Sequence, residues 1–171
     1  MRNLNSSVIE RAELLGGQRF TWSPRTPYLS SIIGRAEDHI ARAVQRAAPH
    51  ARVVREPDLL LTAQAAVIPD IVVFPGPTWN LPLLVIEYRA ESTDRLFFGP
   101  KRLAYARARV PEVWFVDAVR RDVTALRLDS GLDYPWPAAH YTGDAHIRSA
   151  SIAGLDIPIA SFYEDRADER P

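Results

Sequence analysis

A chain of 171 residues with 47% hydrophobic and 25% charged residues is long enough for one domain with a full core and has an ordinary globular composition. Lys+Arg and Asp+Glu balance at 21 each, so no global field draws the chain toward nucleic acid or anionic lipid, and any such contact must come from a local patch. The absence of cysteine removes disulfides, thiolate zinc sites and cysteine nucleophiles together, and with no apolar run of membrane-span length and no basic-then-apolar leader the expectation is a cytoplasmic protein that makes no membrane contact.

In chain order, the first residues are expected to fray, and residues 8–22 read as a helix or turn followed by a short strand around Arg19–Trp22. Ser23–Pro27 carries two prolines and reads as a loop. Ser30 or Ser31 can cap a helix running to about Ala47, with Ile33, Ile40 and Val44 as its apolar stripe. Glu37 lies on that stripe by spacing, so its carboxylate must either reach out to water or aim at a polar site. Arg52–Arg55, Leu59–Thr62, Asp70–Phe74 and Leu83–Arg89 are short segments rich in Val, Ile and Leu, separated by Pro, Gly or Asn, and read as strands. A helix from about Pro100 to Arg109 ends before Pro111. Glu112–Asp117 has the continuous apolar run of a buried strand, and Asp122–Leu128 alternates and can pair beside it. Tyr134–Pro137 reads as a loop, Ile147–Ile159 as a last strand and turn, Ala160–Tyr163 as a short helix, and 164–171 as a frayed tail. This order predicts an α/β sandwich around a mixed sheet in one domain spanning 1–171.

One residue stands out. Lys101 is the only lysine among 21 basic residues. It follows Gly99-Pro100, a good helix start, where a cation opposes the helix dipole at a cost of about 0.3–1 kcal/mol. A compact ammonium there is explained by nearby carboxylates and a phosphate, for which arginine is no equivalent. Candidate carboxylates lie upstream. Alternation puts Leu83, Val85, Glu87 and Arg89 on one strand face, and Asp70, Val72 and Phe74 on one face of theirs. Were the two strands neighbours in the right register, Asp70 and Glu87 would meet, and two such carboxylates repel unless a cation lies between them. Mg²⁺ or Mn²⁺ suits such oxygen ligands, and the chemistry supported is phosphodiester hydrolysis. Lys101 is then the partner of an attacking water, with Arg89 as an auxiliary phosphate contact. Spacing alone leaves Pro57-Asp58 as a rival to Pro69-Asp70. His39, His50, His140 and His146 show no metal-ligand spacing, and Tyr105 reads as helix packing.

Pro69-Asp70 followed by Glu87-x-Arg89 resembles the PD-(D/E)XK nuclease motif with arginine in the last place. Ile68-Pro69-Asp70-Ile71-Val72-Val73, Leu84-Val85-Ile86-Glu87 with Ser92-Thr93, and Lys101-Arg102-Leu103-Ala104-Tyr105-Ala106 running into Val110-Pro111-Glu112-Val113-Trp114-Phe115-Val116-Asp117 resemble, in that order, the Uma-two-type family of bacterial endonucleases. The resemblance implies a restriction-endonuclease-like fold, a central mixed β-sheet flanked by helices. It also implies a metal site at Asp70 and Glu87, with Lys101 as the motif lysine moved onto the helix. By the same resemblance Glu37 stands where the superfamily sometimes adds an acid from the first helix. The chain departs from the family at Ala90 and Glu91, where Ser-Pro is usual, and at Phe97, where an aspartate is usual; Asp94 is out of register. The expected function is therefore a Mg²⁺- or Mn²⁺-dependent endonuclease acting on DNA. The departures favour a rival, the same fold kept as a nucleic-acid or protein interaction module. By analogy with the superfamily, a homodimer would suit double-strand cleavage.

Overall fold

The computed structural model describes residues 11–22, 25–77, 81–89, 97–131, 133–135 and 138–163. The expected tail at 164–171, the stretch from Ala90 to Arg95 with the Ser92-Thr93 pair and Asp94, and Trp136-Pro137 lie outside these residues. The chain begins as a hairpin of β1 (Arg11–Leu15) and β2 (Gln18–Trp22). The sequence suggested a helix or turn before Arg19. Gly16 and Gly17 decide otherwise, because both take positive φ (59° and 80°) and so match the twist of a two-residue hairpin. Helix α1 (Pro27–Ala47) starts earlier than Ser30. Pro27 sits at the first helical position, where its missing N–H costs nothing, and the Thr26 hydroxyl accepts from the Leu29 amide at 3.2 Å.

Strands β3 (Arg52–Arg55), β4 (Leu59–Thr62), β5 (Ala65–Val67), β6 (Ile71–Phe74) and β7 (Leu84–Tyr88) follow. Strand β5 was not expected; three residues, two of them alanine, are too few to show a period. The helix expected over 100–109 is a π-helical turn at Phe97–Lys101 leading into α2 (Arg102–Arg107). It stops where Arg109 turns left-handed at φ 62°. Then come β8 (Glu112–Asp117), β9 (Asp122–Arg127), β10 (Ala139–Thr142), β11 (His146–Arg148), β12 (Asp156–Pro158) and a 3-10 turn at Ile159–Phe162. Strand β10 also escaped the sequence reading. It is a largely exposed edge strand and carries no apolar alternation.

The central sheet has the order β10-β9-β8-β7-β6-β3. Its β7–β8 pair is parallel, joined by a crossover through α2, and its other pairs are antiparallel, so the sheet is mixed as expected. One face packs Ile71, Val73, Leu84, Ile86, Trp114 and Val116 against Ile33, Ile40 and Val44 of α1. The other packs Val72, Val85, Val113 and Phe115 against Tyr105 of α2 and against Leu15 and Val67 of the second sheet, ordered β2-β1-β5-β4. Among the described residues no helix is long and apolar enough to cross a membrane.

Candidate functional site

The β6–β7 register pairs Ile71 with Ile86 and Val72 with Val85. One step further sets Asp70 opposite Glu87, and side-chain alternation puts both on the face of Val72 and Val85, toward α2 and the second sheet. Both carboxylates are fully buried, whereas Asp58 is exposed, so burial separates the two Pro-Asp pairs that spacing could not. Asp70 Oδ2 accepts the Tyr88 amide at 2.6 Å, which ties its carboxylate to the strand that carries Glu87. Its Oδ1 is ion-paired with the guanidinium of Arg25, which also reaches Glu56 Oε1 at 2.6 Å.

Glu87 Oε1 accepts from Lys101 Nζ at 2.8 Å and from the Tyr105 hydroxyl at 2.5 Å. Lys101 and Tyr105 are four residues apart across the start of α2, which brings their side chains to one side of the helix. Glu87 Oε2 is buried without a hydrogen-bond partner. Burial raises the Glu87 carboxyl above its ordinary pKa, and the Glu13 carboxylate adds to that, against the pull of the Lys101 ammonium. Burial also pushes the Tyr105 phenol well up, and the carboxylate of Glu87 pushes it further, so it stays a proton donor to Glu87.

Lys101 is buried between two acids, and its ammonium lies 2.8 Å from Glu87 Oε1 and 2.8 Å from Glu13 Oε1. This is the local reason for a lone lysine ahead of a helix. Glu13 Oε1 also accepts the amide of Ile68 at 2.9 Å, just before Pro69-Asp70, so one side chain of the first hairpin ties the Asp70 segment to the Lys101 segment. Glu13 was missed in the sequence. Its signal is alternation with Leu15, a buried neighbour two residues on, and it shows only once the hairpin is recognised. Arg25, in the proline loop, left no signal.

Arg89 does not turn to Glu87. It shares that face of β7 but pairs with Asp117 Oδ2 at 2.8 Å, while Asp117 Oδ1 caps the amides of Val119 and Arg120 at 3.0 and 2.9 Å. Glu37 is not brought to the pair either. It belongs to α1, on the other face of the sheet, and its half-buried carboxylate lies 3.6 Å from Arg55. Of the two alternatives open for Glu37, reaching outward to a surface partner is the one realised. Glu112 is a further buried acid, but it spends its oxygens on Trp114 Nε1 at 2.9 Å, Ser149 Oγ at 2.6 Å and the amides of Ala150 and Ser151 at 2.9 and 3.1 Å.

Among the described residues no group of three or more His, Asp and Glu side chains is arranged to hold a metal ion. Two carboxylates set opposite each other, one with an unpartnered buried oxygen, still fit a hard divalent ion that keeps several of its waters. Among the described residues, Arg25 is ion-paired with Asp70, and Lys101 with both Glu13 and Glu87.

Comparison with known proteins bears on the family and the fold. The family model described as "Uma2: Putative restriction endonuclease" matches residues 5–160. A crystal structure of "a putative nuclease belonging to DUF820" from Anabaena variabilis ATCC 29413 superposes with a TM-score of 0.71 over 89% of each chain at 17% identity, a likeness of fold. No curated protein matches the chain. With Asp70, Glu87 and Lys101 gathered on one sheet face, in a fold shared with that structure and under a family match over most of its length, this chain is a member of the Uma2 family.

Proposed function

We propose that this protein is a metal-dependent endonuclease that hydrolyses phosphodiester bonds of DNA, with Mg²⁺ or Mn²⁺ held by Asp70 and Glu87. The observation that carries the reading is Glu87. One of its oxygens is fixed by Lys101 and Tyr105, and the other is buried with no hydrogen-bond partner. Leaving a buried carboxylate oxygen unpaired is costly, and a cation removes that cost. When bound, the ion supplies charge neutralisation at the phosphate and lowers the pKa of a water. The chain's own residues do the rest. Asp70, held by the Tyr88 amide, and Glu87, held by Tyr105, present their carboxylates without rotamer freedom. Lys101, positioned by Glu13, offers its ammonium to the scissile phosphate or to an attacking water. The place of action on this reading is the cytoplasm, and a homodimer would allow two cuts, one per strand.

Plasmid and single-stranded DNA incubated with Mn²⁺ or with EDTA, beside an Asp70→Ala control, test the reading. Cutting is expected only with the ion and only in the unaltered chain. Cleavage that survives EDTA or the substitution would refute it.

A second reading has its own observation. Arg25 already neutralises Asp70, as it would in a module that kept the fold and lost the reaction. Calorimetric titration with Mn²⁺ decides between the two. For an enzyme, Arg25→Ala binds the ion about tenfold or more tightly than the parent, because a guanidinium worth about 1–3 kcal/mol at a buried carboxylate no longer competes. For a module, neither protein binds it.

A further inference from the structure

The face that carries Glu87 continues across the sheet as a row of paired positions. Glu87 pairs with Phe115, Phe115 with Thr124, and Thr124 with His140. At about 4.8 Å per strand, Thr124 and His140 lie about 10 and 14 Å from Glu87, about three and four base steps along a B-form strand. At that end of the row, beside Phe115, is a cavity of about 180 Å³ lined by Arg89, Asp117, Arg120, Asp122, Thr124 and His140. A dry cavity of about 150 Å³ admits benzene, so this one has room for a single nucleobase.

Its chemistry is mixed in the way a nucleotide requires. Thr124 is buried, and its hydroxyl is hydrogen-bonded to His140 Nδ1 at 3.0 Å, which fixes the imidazole over the cavity. Asp122, opposite Asp117 in the register, brings an acceptor that can take a base amino group. Arg89 is held on Asp117 at 2.8 Å, but Arg120 is only loosely held there, at 3.8 Å, with its side chain 68% exposed. Its guanidinium can therefore turn to a phosphate without breaking a short pair.

We infer that this cavity is a subsite for one nucleotide of the DNA strand flanking the cleaved bond, with its phosphate on Arg120 and its base edge against Asp122 and His140. The inference rests on the nuclease reading. It adds a place where the protein grips substrate away from the reacting atoms.

Fluorescence anisotropy of a short labelled single-stranded oligodeoxynucleotide, with Ca²⁺ in place of Mg²⁺, tests it. The full-length chain is compared with His140→Ala, Arg120→Ala, Thr124→Val and, on α1 across the sheet, Arg46→Ala. His140→Ala and Arg120→Ala are each expected to weaken binding about five- to tenfold, and Arg120→Ala to flatten the salt dependence by about one phosphate contact. Arg46→Ala should bind as the parent does. Thr124→Val keeps the side-chain shape, so a loss of binding at an unchanged melting temperature is expected from the freed imidazole alone. If the parent binds and His140→Ala and Arg120→Ala bind equally well, the subsite is refuted while the nuclease reading stands. If the parent binds neither this oligonucleotide nor its duplex, both fall.

Discussion

The acids of this chain differ less in type than in what their surroundings make of them. Glu87 and Glu112 are both buried strand glutamates, yet Glu112 has its oxygens hydrogen-bonded by neighbours while Glu87 keeps one oxygen open. Because burial raises the Glu87 pKa above 4.5, the folded state favours its proton. The contribution of Glu87 to the stability of the metal-free protein should therefore be fully present below its unfolded-state pKa and be lost as pH rises through the folded-state value. Glu87→Gln, which mimics the neutral form, should flatten that decline. Urea denaturation in EDTA from about pH 4.5 upward, near the ordinary Glu pKa, checks the sign. Glu13 is ion-paired with Lys101, and on the proposed nuclease reading it acts through that lysine as a positioning residue. Glu13→Ala should lower kcat about a hundredfold, the scale of a misplacement near 1 Å, with little change in affinity for DNA. Glu13→Gln keeps an acceptor for Lys101 and for the Ile68 amide and should recover most of the loss; equal losses in the two variants would refute a geometric role.

At the scale of elements, the site depends on register. Slipping β6 by one residue against β7 would turn Asp70 to the α1 face, away from Glu87. The apolar residues on either side guard against that, since Ile71 and Val72 pack into different cores and would exchange places. Helix α1 seals the opposite face and begins next to Arg25. Thr26→Ala removes its N-cap and should cost about 1 kcal/mol, read from thermal or urea unfolding. The cap lies beside the residue that neutralises Asp70, so the same variant reports whether the Arg25 loop is coupled to the site. A shift in Mn²⁺ affinity together with stability would show coupling, and a shift in stability alone would show none.

Across the whole molecule, the buried polar groups sort by sheet face. The α2 face gathers Glu13, Asp70, Glu87 and Lys101. The α1 face holds Glu112, which fastens β8 to the turn at Ser149–Ser151. Glu112→Ala strands several donors at once and should destabilise the fold by about 2–3 kcal/mol while leaving metal affinity unchanged; unfolding and titration of the same sample check both. The central strands, the long helix and the trio Asp70, Glu87 and Lys101 were legible in the sequence, because periodicity, proline and glycine signals and the family-like order of motifs are local or ordered along the chain. The short strand β5 and the edge strand β10 carry too little apolar pattern to be read. Glu13 and Arg25 lie 74 and 45 residues before Glu87 and Asp70 in the chain, so nothing local marks them. Composition and pattern determined which residues could be buried and which could do chemistry. Only strand register and the docking of the first hairpin decided which charges share one desolvated space, because Coulomb and desolvation energies follow distance through the folded protein and not separation along the chain.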